Sequence, residues 1–177
     1  MAAVREPVVV RTHLPADLLS PVERWYLGAL FRIGEDGGSL SFHSPDGLPS
    51  FAKVRVEHLR RLVRDSMQVC PDLCARFLAI LHDVDADEGT VEIDLGEGIE
   101  WTEVLRGLCR RDSHRVPFVE IEIAHLPTSG RSVCGGSAVF VHPDGVEWFS
   151  TADWLRQRVA ALALPLLRPG KARPARG

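Results

Sequence analysis

Cys70, Cys74, Cys109 and Cys134, the histidines His125 and His142, and the acidic run Asp83-Val-Asp85-Ala-Asp87-Glu88-Gly89 are the residues best suited by type to do chemistry. Zinc knuckles and dithiol redox motifs place paired cysteines two residues apart. Cys70 and Cys74 instead stand four apart around Pro71, with the other two distant, so the expectation is small, reduced core thiols. The one reactive reading is Cys70 as the cap of a helix begun by Pro71, where the helix N-terminus would lower its pKa. The acidic run alternates like a calcium loop, but its glycine is seventh rather than sixth and Asp94 stands twelfth where a glutamate is needed. A solvated loop fits it better.

His125 and His142 fall near the ends of two predicted strands. Acid–base work would require a positioned carboxylate such as Asp144, and zinc would require further ligands. Gly135 and Gly136 precede a strand, whereas a phosphate cradle puts its glycines between a strand and a following helix. They fit a bulge, or a place where another backbone or a ligand approaches closely. Ser137 and Ser150 lack a nucleophile-elbow context. No catalytic set assembles from these residues, and no cofactor or metal is expected.

The elements that must hold these residues are legible from periodicity. Ser20, Pro21 and Glu23 form a capping box before the helical repeat Val22, Trp25, Tyr26, Ala29, Leu30, Ile33, which Gly34 is expected to stop. Leu40 to His43 reads as a strand, returning after Pro45-Asp46-Gly47 as Phe51 to Val54. Helical spacing runs from about Arg55 to Met67 and restarts at Pro71. Thr90–Leu95 alternates as a strand, Trp101–Cys109 as an amphipathic helix, and Val119 to Ile123 as a strand with glutamates on its wet side. Ala138 to Val141 is apolar on both sides and reads as an interior strand. It leads through Pro143-Asp144-Gly145 to VEWF, and Ser150 with Asp153 caps a last helix that Pro165 ends.

Ser39–Phe51 and Ser137–Phe149 echo each other at six of thirteen positions, Pro-Asp-Gly among them. Pro-Asp-Gly is turn chemistry that arises repeatedly. The alternative is duplication, with related α-β-hairpin-α halves over 18–67 and 97–164. The expected fold is α+β, a mostly antiparallel sheet with helices on one face, forming a single domain over 1–167. The tail 168–177 is expected to be disordered.

Gly135 to Leu155, GGSAVFVHPDGVEWFSTADWL, resembles the C-terminal signature of small uncharacterised bacterial, phage and plasmid-borne proteins. In that signature a glycine pair precedes an apolar strand, a turn, a second strand and a Thr-x-x-Trp-Leu segment, here Thr151-Ala-Asp-Trp154-Leu155. The resemblance implies no activity.

Net charge is −3, but four cations of the last ten residues, Arg168, Lys171, Arg173 and Arg176, leave the preceding body at −7. An acidic body opposes a nucleic-acid-binding face, and only the tail offers weak phosphate contact. MAAVREPVVV lacks a secretory apolar run and no stretch reaches a bilayer's thickness, so a cytoplasmic protein without membrane contact is expected. The leading functional expectation is a non-catalytic accessory or immunity-type protein that binds another protein, with Trp148 and Trp154 as contacts. The alternatives are a small-ligand or enzymatic pocket near Gly135, Gly136, His125 and His142, and nucleic-acid contact through the tail.

Overall fold

Strand alternation decides which face of the main sheet is dry. The computed structural model describes residues 4–84, 89–96, 98, 100–127 and 135–157. In chain order these form strands β1 (Val4–Arg5) and β2 (Val8–Pro15), a 3-10 turn at Ala16–Leu18, and helix α1 (Pro21–Leu30). Strands β3 (Arg32–Asp36), β4 (Ser39–Ser44) and β5 (Phe51–Arg55) follow, then helices α2 (Val56–Ser66) and α3 (Pro71–His82). Strand β6 (Thr90–Asp94) and helix α4 (Trp101–Arg111) precede strands β7 (Val119–Pro127), β8 (Gly135–His142) and β9 (Gly145–Ser150). A final helix, α5, is described over residues 151–157.

The larger sheet is antiparallel in the order β3-β4-β2-β7-β8-β9, with β1 also paired to β7, and β5 and β6 form a separate two-stranded sheet. Val8, Val10, Leu40, Phe42, Val119, Ile121, Val139 and Val141 line its buried face. Arg11, His43, Glu120, Glu122 and Glu147 occupy the other face in water, where Arg11 pairs with Glu122. The helices therefore pack on one face, and the fold is α+β. Tyr26 and Phe77 are fully buried between helices, and the half-buried Trp25 meets Phe77 edge-on at 5.6 Å. Burying one such aromatic contributes about 1.5–3 kcal/mol.

The capping box forms as expected: Ser20 Oγ accepts from the Glu23 amide, and the Glu23 carboxylate accepts from the Ser20 amide at 2.9 Å. The helix nevertheless ends at Leu30, not at Gly34. Phe31 turns extended, donating its amide to Leu27, and Arg32–Asp36 pairs with β4 as a strand. Intrinsic helical periodicity at Ile33 yields there to a sheet ladder. Gly37 and Gly38, at φ 55° and 81°, make the two-residue turn that closes Asp36 onto Ser39.

The first Pro-Asp-Gly does not make the expected hairpin. β4 already has β3 on one side and β2 on the other, so no edge remains for Phe51–Val54. Ser44 Oγ donates to the Gly47 carbonyl, Gly47 turns at φ 100°, and the chain leaves to pair β5 with β6. The second Pro-Asp-Gly does close a hairpin, His142 facing Gly145 across Pro143-Asp144. The echo therefore does not correspond to a repeated strand pairing, and the duplicated hairpin halves expected from it are not found. The end of the second half beyond 157, the tail 168–177, the acidic residues 85–88 and Cys134 lie outside the described residues.

Candidate functional site

The second hairpin and the helix after it gather the most exposed aromatic surface of the described chain. β8 runs between β7 and β9, as its two apolar faces predicted, and Phe140 on the wet face is half-covered by Phe118 at 5.2 Å. β9 pairs with β8 from Val146↔Val141 to Ser150↔Ser137. Where the ladder ends, Thr151 Oγ1 continues it. It accepts from the Gly136 amide and donates to the Gly136 carbonyl, each at 3.1 Å. Ser150 Oγ then accepts from the Asp153 amide, and α5 begins.

Trp148 faces Val139 across the hairpin, so it sits on the helix-bearing side of the sheet, and Phe149 faces Ala138 on the wet side. In an interior strand one of the two would be covered. Both are instead more than half exposed, at 57% and 56%, and Trp154 and Leu155 on α5 are each 56% exposed. Sequence reasoning found the two tryptophans but missed Phe149 and Leu155. Alternation in VEWF marks opposite faces, and only the edge position of β9 leaves both faces open.

The glycine pair is a place of close backbone approach. A Cβ on Gly136 would lie 2.9 Å from the Ile123 carbonyl oxygen on β7, whereas among the described residues one on Gly135 would meet only Thr151 Oγ1 at 3.5 Å. The histidines are not brought together. His125 lies opposite Gly135 at the start of β8 and on the same face as Ile121 and Ile123. It contacts the Glu6 carboxylate at 3.0 Å and Ser137 Oγ at 3.1 Å. His142 ends β8 on the other face, against the Phe140 ring and 3.5 Å from the Glu147 carboxylate. Opposite ends and opposite faces exclude a joint His125/His142 pocket, which corrects that expectation.

A groove of about 700 Å³ lies between α3 and α4, floored by Glu23, Cys70, Leu73 and Val104 and rimmed by Arg76, Glu103 and Arg110. Cys70 does cap α3, but burial outweighs the helix N-terminus and pushes its thiol up to about 12. Burial likewise raises Cys74, and raises Cys109 to about 11. The reactive reading of Cys70 is therefore corrected: these thiols stay protonated and pack. Among the described residues no group of three or more His, Cys, Asp or Glu side chains converges as a metal site, and no helix is long and apolar enough to cross a membrane. No family model matches the chain, and no curated protein or solved structure is significantly similar to it.

Proposed function

We propose that this chain is a non-catalytic accessory protein of the immunity type, acting by binding another protein through β9 and the start of α5. The observation that carries the reading is the concentration of Trp148, Phe149, Trp154 and Leu155, each more than half exposed, in one strand-to-helix segment. Isolated exposed apolar residues are ordinary, but four along one short segment, two of them tryptophans, have the composition of binding hot spots. The segment is also tied to its neighbours by hydrogen bonds. The Gly136–Thr151 hydrogen bonds and the Ser150 cap fix the angle between β9 and α5, so the four side chains are presented with little ordering cost.

Among the described residues the charged neighbours of this surface include Glu147, 3.5 Å from His142, and Asp153, paired with Arg156. The test is affinity capture with the full chain against its Trp154→Ala/Leu155→Ala variant. The same stoichiometric protein should be retained by the first and lost by the second, with circular dichroism and thermal melting verifying that the variant folds. Equal retention by both would refute this surface.

A further inference from the structure

We infer that β9 is a dimerisation edge: two copies of this chain pair their β9 strands antiparallel about a two-fold axis at Trp148, running one sheet through both protomers. The inference rests on the reading of this surface as protein-binding and names one partner for it, a second copy.

Thr151 Oγ1 bonds both the amide and the carbonyl of Gly136, so Gly136 presents its main chain toward the β9 side. Hydrogen-bonding direction alternates along a strand, so Ala138, Phe140 and His142 point the same way and meet Phe149, Glu147 and Gly145. The intervening residues of β9, Val146, Trp148 and Ser150, therefore aim their amides and carbonyls outward. Among the described residues β9 pairs with β8 alone, which leaves that row open.

The two edges of the sheet differ in how they treat this liability. At the far edge, β3 carries Arg32, Glu35 and Asp36, with Glu35 held by Arg24, a charged edge of the kind that repels strand addition. β9 carries a single charge, Glu147, and two exposed aromatics. One edge is guarded and the other is not.

Self-complementarity selects the occupant. With Trp148 opposite its own mate, Val146 falls opposite Ser150 and Glu147 opposite Phe149. Every outward amide then meets an outward carbonyl, giving about six main-chain hydrogen bonds, and no like charges face each other. The tryptophans form an aromatic cross-strand pair on the face of Val139. Moving the axis to Glu147 would set the two carboxylates against each other, and a one-residue slip would turn one sheet over relative to its partner.

The register makes opposite charges at one position behave differently. Phe149→Lys sets a cation opposite the partner's Glu147, and Phe149→Glu sets a second carboxylate there. Both replace a side chain that is already exposed, and circular dichroism with thermal melting verifies that each variant folds. Sedimentation equilibrium of the full chain should give twice the 19.6 kDa chain mass. Phe149→Lys should keep or tighten the dimer, and Phe149→Glu should weaken it about tenfold. Val146→Pro, which removes an outward amide that bonds nothing in β8, should weaken it further. A monomeric wild-type chain overturns the inference, and so does a dimer that responds alike to both Phe149 variants. A monomer that still captures another protein through Trp154 would leave the proposed function standing without the dimer, whereas a dimer that captures nothing else would do the reverse.

Discussion

Arg111, in the last turn of α4, donates through Nη2 to both carboxylate oxygens of Glu23, at 3.0 and 3.2 Å, across 88 residues of sequence. The same nitrogen reaches the Leu18 carbonyl and Nη1 the Val69 carbonyl, each at 3.0 Å. Glu23 is also the acidic member of the α1 capping box, with a side chain 3% exposed. One guanidinium thus ties the start of α1, the α2–α3 connection and α4 together behind the sheet that carries the hairpin.

Breaking that pair from one side leaves a buried carboxylate whose only donors among the described residues are the Ser20 amide and hydroxyl. Arg111→Met should cost about 3 kcal/mol and lower the melting temperature by about 10 °C, measured by calorimetry. A loss no greater than that of an ordinary surface substitution would show that water reaches Glu23 and that the pair is not structural.

The glycine pair separates backbone crowding from ligand approach. Gly136→Ala drives a methyl group to 2.9 Å from the Ile123 carbonyl and should destabilise by about 1–3 kcal/mol. Among the described residues Gly135→Ala makes only an ordinary contact with Thr151, and it should stay within about 0.5 kcal/mol of the parent. Urea denaturation of the two variants checks this. Similar losses for both would remove the account given for Gly136.

Burial at Cys70 and Cys109 has a pH signature. A thiol whose folded pKa is raised from 9 to about 12 or 11 contributes stability that is complete below pH 9 and is lost as the pH climbs toward the folded value. Stability should therefore fall between about pH 9 and 12, and Cys70→Ala should flatten part of that fall in thermal melts. At pH 8 a thiol reagent should find at most one fast-reacting cysteine in the native chain and all four after denaturation. Rapid native labelling of Cys70 would contradict the raised pKa of its half-buried thiol.

What the sequence carried was local. Ser20, Pro21 and Glu23 specify a helix start by their own hydrogen bonds, and Pro143-Asp144 sits between two apolar strands that have no other way to turn. Both were readable. The end of α1 was not, because the competitor for Ile33 is β4, which follows only after Gly37-Gly38 has turned the chain. β2 went unassigned although VVVRTHLP is rich in β-branched residues. Its place in mid-sheet comes from pairing β4 on one side and β7, more than 100 residues away, on the other. The candidate site divides in the same way. Trp148 and Trp154 stood out by type, but the exposure of Phe149 follows from β9 being an edge, a property of strand order rather than of any residue in it. Strand alternation put His125 on the apolar face, and only the β7–β8 register shows that His142 lies at the far end of the strand on the other side.

The central claim is that the β9–α5 surface contacts another protein. Its most direct measurement is photocrosslinking in cells that express the chain, with a benzophenone amino acid replacing Trp154 in one sample and the exposed His43, on the wet face of the sheet, in another. One discrete adduct is expected at position 154, heavier than the chain by a constant mass, and none at position 43. No adduct at 154, or the same adduct from both positions, would contradict it.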